Sequence, residues 1–128
     1  MSDKSVAEKL LIRPGQKILL VNQPKGYRAV LGAIPKGVTL LKEAAEAADL
    51  IQVFVGSRKD LEAQLPRLKP LLAPKGLLWV TYPKGTSKRK SDINRDSIAA
   101  YAGTIGLQAV AMISVDADWS ALRLKVVS

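Results

Sequence analysis

Three continuous apolar runs of strand length constrain this chain more than any other feature: Lys17-Ile-Leu-Leu-Val-Asn22, Asp49-Leu-Ile-Gln-Val-Phe-Val55 and Leu77-Leu-Trp-Val-Thr-Tyr82. None alternates polar with apolar, as a strand with one wet face does. Runs without alternation are expected where both faces of a sheet are covered, the environment of a parallel sheet between helices.

The intervening segments supply those helices. Ser5-Val6-Ala7-Glu8 has the form of a capping box, predicting a helix to about Ile12 that Pro14-Gly15 ends. Tyr27 to Ile34 suits a short helix ended by Pro35-Lys36-Gly37, and Val38 to Leu41 a second, shorter strand. Glu43 to Ala48 has the alanine content of one or two helical turns. After Ser57-Arg58-Lys59-Asp60, a helix start, Leu61, Leu65, Leu68 and Leu72 follow at helical spacing. Pro66 predicts a break near Leu65, with a second short helical piece closed by Gly76. Ser91 or Asp92 is expected to cap a helix bearing Ile93, Ile98, Tyr101, Ala102 and Ile105, with Gly106 at its end. Val110 to Val115 and Trp119 to Val127 are separated only by Asp116-Ala117-Asp118, so this pair must be antiparallel. The order predicts a three-layer α/β sandwich, a mostly parallel sheet of about six strands with an antiparallel last strand. At 128 residues and 48% hydrophobic content, the chain is expected to be one domain over 1–128.

Absences narrow the chemistry. With no cysteine and no histidine, disulfides, thiolate nucleophiles, thiolate or imidazole zinc sites and Ser-His-Asp triads are excluded. Met1 to Lys9 is charged and lacks a signal-peptide apolar stretch, and the apolar runs are too short to span a bilayer. The expectation is a cytoplasmic protein without a membrane partner.

The formal net charge of +9 points to an anionic partner. In an open parallel sheet, ligands bind outside the carboxyl ends of the strands. Loops expected there carry Lys25 and Arg28 after the first strand, Arg58 and Lys59 after the third, and the run Lys84-Gly85-Thr86-Ser87-Lys88-Arg89-Lys90 with Arg95 after the fourth. Each leads into a helix N-terminus, where unpaired amides favour anions. Gly85 admits close backbone approach, Thr86 and Ser87 offer hydroxyls, and Lys88, Arg89 and Lys90 supply charge. These residues form a candidate clamp for a phosphate-bearing ligand, a nucleotide or nucleic acid; read alone, the run is a solvated charged loop. The Pro-Lys-Gly copies at Pro35 and Pro74 precede strands and read as structural. Tyr82, then Tyr27, are the preferred aromatic contacts, and Trp119 a candidate stacking platform. Asp92 is a candidate ligand or magnesium contact, although Asp92 and Asp96 read first as answering the helix dipole and pairing with Arg95 or a loop lysine. Asp116 and Asp118 read first as turn residues.

Gly76-Leu-Leu-Trp-Val-Thr-Tyr-Pro-Lys-Gly-Thr-Ser-Lys88, Asp92-Ile-Asn-Arg-Asp96 and Asp116-Ala-Asp-Trp-Ser-Ala-Leu-Arg-Leu-Lys125 resemble a family of small bacterial proteins catalogued as a domain of unknown function. That resemblance carries no functional residue. The element order, the turn Leu71-Leu-Ala-Pro-Lys-Gly76 and the final strand pair are distantly similar to the Rossmann-like fold of S-adenosylmethionine-dependent methyltransferases. The similarity implies a terminal strand inserted antiparallel into the sheet. The sequence departs from it after the first strand, where Val21-Asn-Gln-Pro-Lys-Gly26 replaces a Gly-x-Gly turn, and Glu43 is the nearest acid after the second strand. No cofactor follows from the residues themselves. A degenerate or atypical transferase is thus the alternative to a binding protein. A third reading is an assembly module, dimerising through Ala121, Leu122, Leu124 and Val126 if the last strand lies at an edge.

Overall fold

The computed structural model describes residues 5–41, 47–85 and 91–127. Helix α1 (Val6–Lys9) is one turn, closed by the reciprocal Ser5 and Glu8 capping box. Leu11 adopts a φ of 66°, which stops the helix short of Ile12. Strand β1 (Lys17–Val21), helix α2 (Tyr27–Leu31) and strand β2 (Thr39–Leu41) follow. Of the helical turns expected at 43–48, residues 43–46 lie outside the described residues, and Ala48 already opens β3 (Ala48–Phe54).

Helix α3 (Arg58–Leu68) runs through Pro66 instead of breaking at Leu65, and a 3-10 turn, Lys69–Leu71, follows. Leu61, Leu65 and Leu68 are all fully buried, each contributing about 1.5–3 kcal/mol. Together they exceed the roughly 3 kcal/mol that an interior proline costs. The carbonyl that Pro66 leaves unpaired belongs to Glu62, and both residues are exposed, so water can satisfy it.

Strand β4 (Leu72–Pro83) begins five residues before the apolar run that predicted it. Leu72 pairs with Ala48 and Leu77 with Leu50, so residues 73–76 are extruded as a bulge. Lys75 takes a φ of 63° there. A side chain on Gly76 would stand 2.8 Å from the Ala73 carbonyl oxygen, so this glycine closes the bulge rather than a helix. Helix α4 (Arg95–Thr104) is capped by Asn94 in a reciprocal box with Ser97, in place of Ser91 or Asp92. Strands β5 (Leu107–Ser114) and β6 (Trp119–Val126) complete the chain.

The strand order is β2-β1-β3-β4-β6-β5, parallel from β2 to β4, with β6 antiparallel to both neighbours. The last strand is therefore internal, and the condition for dimerising through it, a free edge, is not met; Ala121, Leu122 and Leu124 are buried and only Val126 is exposed. One face of the sheet packs α3 and α4 over Ile51, Val53, Leu78, Val80 and Leu122. The other packs α1 and α2 over Ile18, Leu50, Phe54, Trp79 and Ala121. The covered faces explain why the central runs lack alternation.

Candidate functional site

Strands β1 and β3 are neighbours, yet their onward connections leave in opposite directions. The chain passes from β1 through α2 to β2 on one side, and from β3 through α3 to β4 on the other, using opposite faces. This is a topological switch point, and a crevice opens outside the carboxyl ends of the two strands.

Its first wall is the loop from Asn22 to Gly26. Asn22 has a φ of 58° and Gly26 of 83°; asparagine tolerates the left-handed region better than most residues. The wall is anchored from beneath by a buried polar chain. Tyr27 Oη donates to Gln52 Oε1 at 2.7 Å, and Gln52 Nε2 donates to Thr81 Oγ1 at 2.9 Å. Tyr27 is 2% exposed, and Gln52 and Thr81 fully buried. Burial, with the nearby Asp116 carboxylate, raises the Tyr27 phenol well above its usual range, so it remains a proton donor to Gln52.

The second wall is Gly56-Ser57 and the start of α3. Here the structure supplies its own acceptors, two of them carboxylates: Asp92 Oδ1 accepts from Arg58 N at 2.7 Å, Asp60 Oδ2 from Gly56 N at 3.2 Å, and the neutral Ser57 Oγ from Asp60 N at 3.1 Å. Asp92 thus sits where an anionic ligand at this helix end would. Its role reaches across 34 residues, which no local pattern reveals.

The other expected site residues divide clearly. Lys25, Arg28 and Lys59 are exposed on the two walls. Arg58 pairs with Glu62 at 2.9 Å and Arg95 lies 3.7 Å from Asp96. Lys84 Nζ donates to Ser114 Oγ at 2.6 Å and its amide to the Asp118 carbonyl at 2.8 Å, so it braces the β5–β6 turn. Gly85 is exposed, while Thr86, Ser87, Lys88, Arg89 and Lys90 lie outside the described residues. The expected aromatic contacts are not ring surfaces open to a ligand. Tyr27, Tyr82 and Trp119 are at most 8% exposed; Tyr27 and Trp119 each pack edge-on against Phe54, and Tyr82 Oη reaches Met112 Sδ at 3.2 Å. Apolar ring area was the stronger demand. Asp116 is a turn residue, its Oδ1 accepting from Asp118 N and Trp119 N. Among the described residues, no cluster of carboxylates suits a metal, and no helix is long and apolar enough to cross a membrane.

Strand order also locates the charge. Described cations at the carboxyl edge are Lys25, Arg28, Arg58, Lys59, Lys84 and Arg95, with Lys9, whose Nζ donates to the Ser114 carbonyl at the end of β5; Asp60, Glu62, Asp92, Asp96, Asp116 and Asp118 nearly match them in number. The amino edge and the strand ends beside it carry Arg13, Lys17, Lys36, Arg67, Lys69, Lys75, Arg123 and Lys125, against Asp49 alone among the described carboxylates. Lys36 and Lys75, whose Pro-Lys-Gly turns read as structural in sequence, belong in space to the larger unbalanced group of charges among the described residues.

A family described as "Protein of unknown function (DUF3052)" matches residues 30–127. Among curated proteins, none matches the sequence. Solved structures similar to this chain include ribosomal protein L11 methylase from Lactobacillus delbrueckii subsp. bulgaricus, with a TM-score of 0.63 at 12% identity over 96% of this chain and 75% of that one. The DhpI–SAH complex has a TM-score of 0.65 at 9% identity, over 95% and 83% of the two chains. A protein of the NADB-Rossmann superfamily from Streptococcus agalactiae has a TM-score of 0.57 at 12% identity, over 99% and 70%. At these identities the likeness shows the fold: Rossmann-like, as in S-adenosylmethionine-dependent methyltransferases.

Proposed function

We propose that this protein, which belongs to the DUF3052 family, is a binding domain that holds a phosphate-bearing nucleotide in the crevice between β1 and β3. The observation that carries this reading is the switch point itself, with Lys25 and Arg28 exposed on one wall and Lys59 on the other. Crevices at this position are where open α/β sheets take ligands. Of the two ligand classes suggested by the charge, the nucleotide is favoured. Grooves for single-stranded nucleic acid use exposed aromatic platforms, and the aromatics near this edge are buried. A phosphate reaching the first turn of α3 competes with the Asp92 carboxylate for the Arg58 amide, which favours ligands that bring further contacts over a bare anion.

The test is thermal stability with increasing ADP or ATP. Specific binding raises the unfolding temperature with ligand concentration, about 2.7 kcal/mol at a hundredfold excess over Kd. Lys25→Gln with Lys59→Gln should abolish the rise, and no shift at millimolar nucleotide overturns the reading.

A second reading, an atypical S-adenosylmethionine-dependent transferase, is favoured by similar structures described as SAH or SAM complexes. Asn22 supplies a left-handed turn after β1, one of the tasks of the missing glycines. It does not supply their lack of a side chain, so cofactor backbone contacts of the usual kind are obstructed. Saturable stabilisation by S-adenosylmethionine, without any by ADP or ATP, would decide for this second reading.

A further inference from the structure

A groove of about 990 Å³ opens at the opposite end of the molecule, between the β4 bulge and the β5–β6 hairpin. Its apolar lining includes Leu72, Leu77, Val110 and Val126. Val110 is 38% and Val126 46% exposed, among the most exposed large apolar side chains of the fold. Four cations, Lys69, Lys75, Arg123 and Lys125, also line it, and among the described residues no carboxylate does. Arg123 lies 5.9 Å from the Trp79 ring centroid, and Lys69 Nζ is tethered to the Ile105 carbonyl at 2.6 Å. Among the described residues, Lys75, Arg123 and Lys125 form no ion pair. The bulge fixes the wall: Lys75 is held in the left-handed region and Gly76 admits no side chain.

Small-molecule sites occupy about 300–1,000 Å³ and combine apolar walls with a few placed polar groups. The groove lies at the upper end of that range, too large for a lone inorganic anion. Its apolar surface rules against a purely polar ligand, and the four cations against a neutral one. We infer that this groove binds a single-chain amphipathic anion, a hydrocarbon body ending in a carboxylate or phosphate, with the chain against Leu77, Val110 and Val126 and the head group between Lys75, Arg123 and Lys125.

The experiment is a titration of the full chain with monomeric decyl phosphate, and separately with decanoate, followed by amide NMR. Saturable shifts centred on Gly76, Leu77, Lys125 and Val126 are expected for at least one probe, and the stronger of the two identifies the head group. Arg123→Gln with Lys125→Gln should weaken that binding by about tenfold or more while leaving the spectrum of the unliganded protein dispersed. If the pair does not fold, Lys75→Gln on its exposed bulge gives the same reading with a smaller loss. Decyl glucoside, with the same chain and no charge, should not saturate. Absence of saturable shifts with both anionic probes, shifts centred on the Asn22–Tyr27 or Gly56–Lys59 loops, equal binding of the glucoside, or unchanged affinity in the folded variants would each overturn the inference.

Discussion

The two edges of the sheet answer the same excess of positive charge in opposite ways. At the carboxyl edge the described carboxylates nearly equal the described cations in number, the start of α3 is held by Asp60 and Asp92, and the first loop rests on Tyr27, Gln52 and Thr81. At the amino edge the described cations far outnumber the described carboxylates and stand beside exposed valines. A wired edge fixes geometry and discriminates among ligands. An unbalanced edge attracts anions at a distance, and its interactions weaken with salt. Net charge therefore says little about where a ligand is recognised until strand order assigns each cation to an edge.

The largest expected effect tests the wiring. Gln52→Ala should destabilise the fold by about 2–4 kcal/mol, because it leaves the Tyr27 hydroxyl buried without its acceptor and opens a cavity. Lys125→Ala at the other edge should change stability by less than about 0.5 kcal/mol. Urea unfolding of both variants measures this, and similar losses would break the comparison. The next concerns the field. Using heparin as a polyanionic probe, Lys36→Gln, Lys75→Gln and Lys125→Gln together should lower the eluting salt more than Lys25→Gln, Arg28→Gln and Lys59→Gln together. Equal reductions would show that the edges do not differ electrostatically.

A smaller effect is expected at the start of α3. Asp92→Asn removes a carboxylate from a helix N-terminus and should cost about 0.5–1 kcal/mol while raising nucleotide affinity, since the competing charge is gone. Lower affinity would show instead that Asp92 holds the ligand. The smallest effect is in pH dependence. Burial raises the phenols of Tyr27 and Tyr82 above their usual value of 10.0. Above that pH the unfolded chain releases protons that the folded chain keeps, so the contribution of these two phenols to stability is constant below about pH 10 and falls beyond it. Tyr27→Phe should flatten the fall, as unfolding midpoints at about pH 8 and about pH 10.5 would show.

Much of the scaffold was legible in the sequence because it rests on local patterns. The unalternating runs of β1, β3 and β4 announce a covered parallel sheet, and the short Asp116–Asp118 connection announces the antiparallel pair. The passage of α3 through Pro66 is not legible in the sequence, because the gain from three buried leucines is tertiary. The site was less legible. Gln52 is one polar residue inside an apolar run, and its purpose appears only when Tyr27 and Thr81 are brought to it. Tyr82, one residue before the end of β4, and Trp119, the first of β6, lie at the expected edge, but sequence does not reveal which faces their rings enter. The amino-edge charge was hidden because its cations come from connections and strand ends scattered from Arg13 to Lys125.

Amide NMR during titration with ADP tests the central claim most directly, because it reports which edge responds. The account predicts saturable shifts in Lys25, Gly26, Gly56 and Ser57 while Gly76 and Lys125 stay unmoved; shifts confined to the amino edge, or none at millimolar ADP, would contradict it.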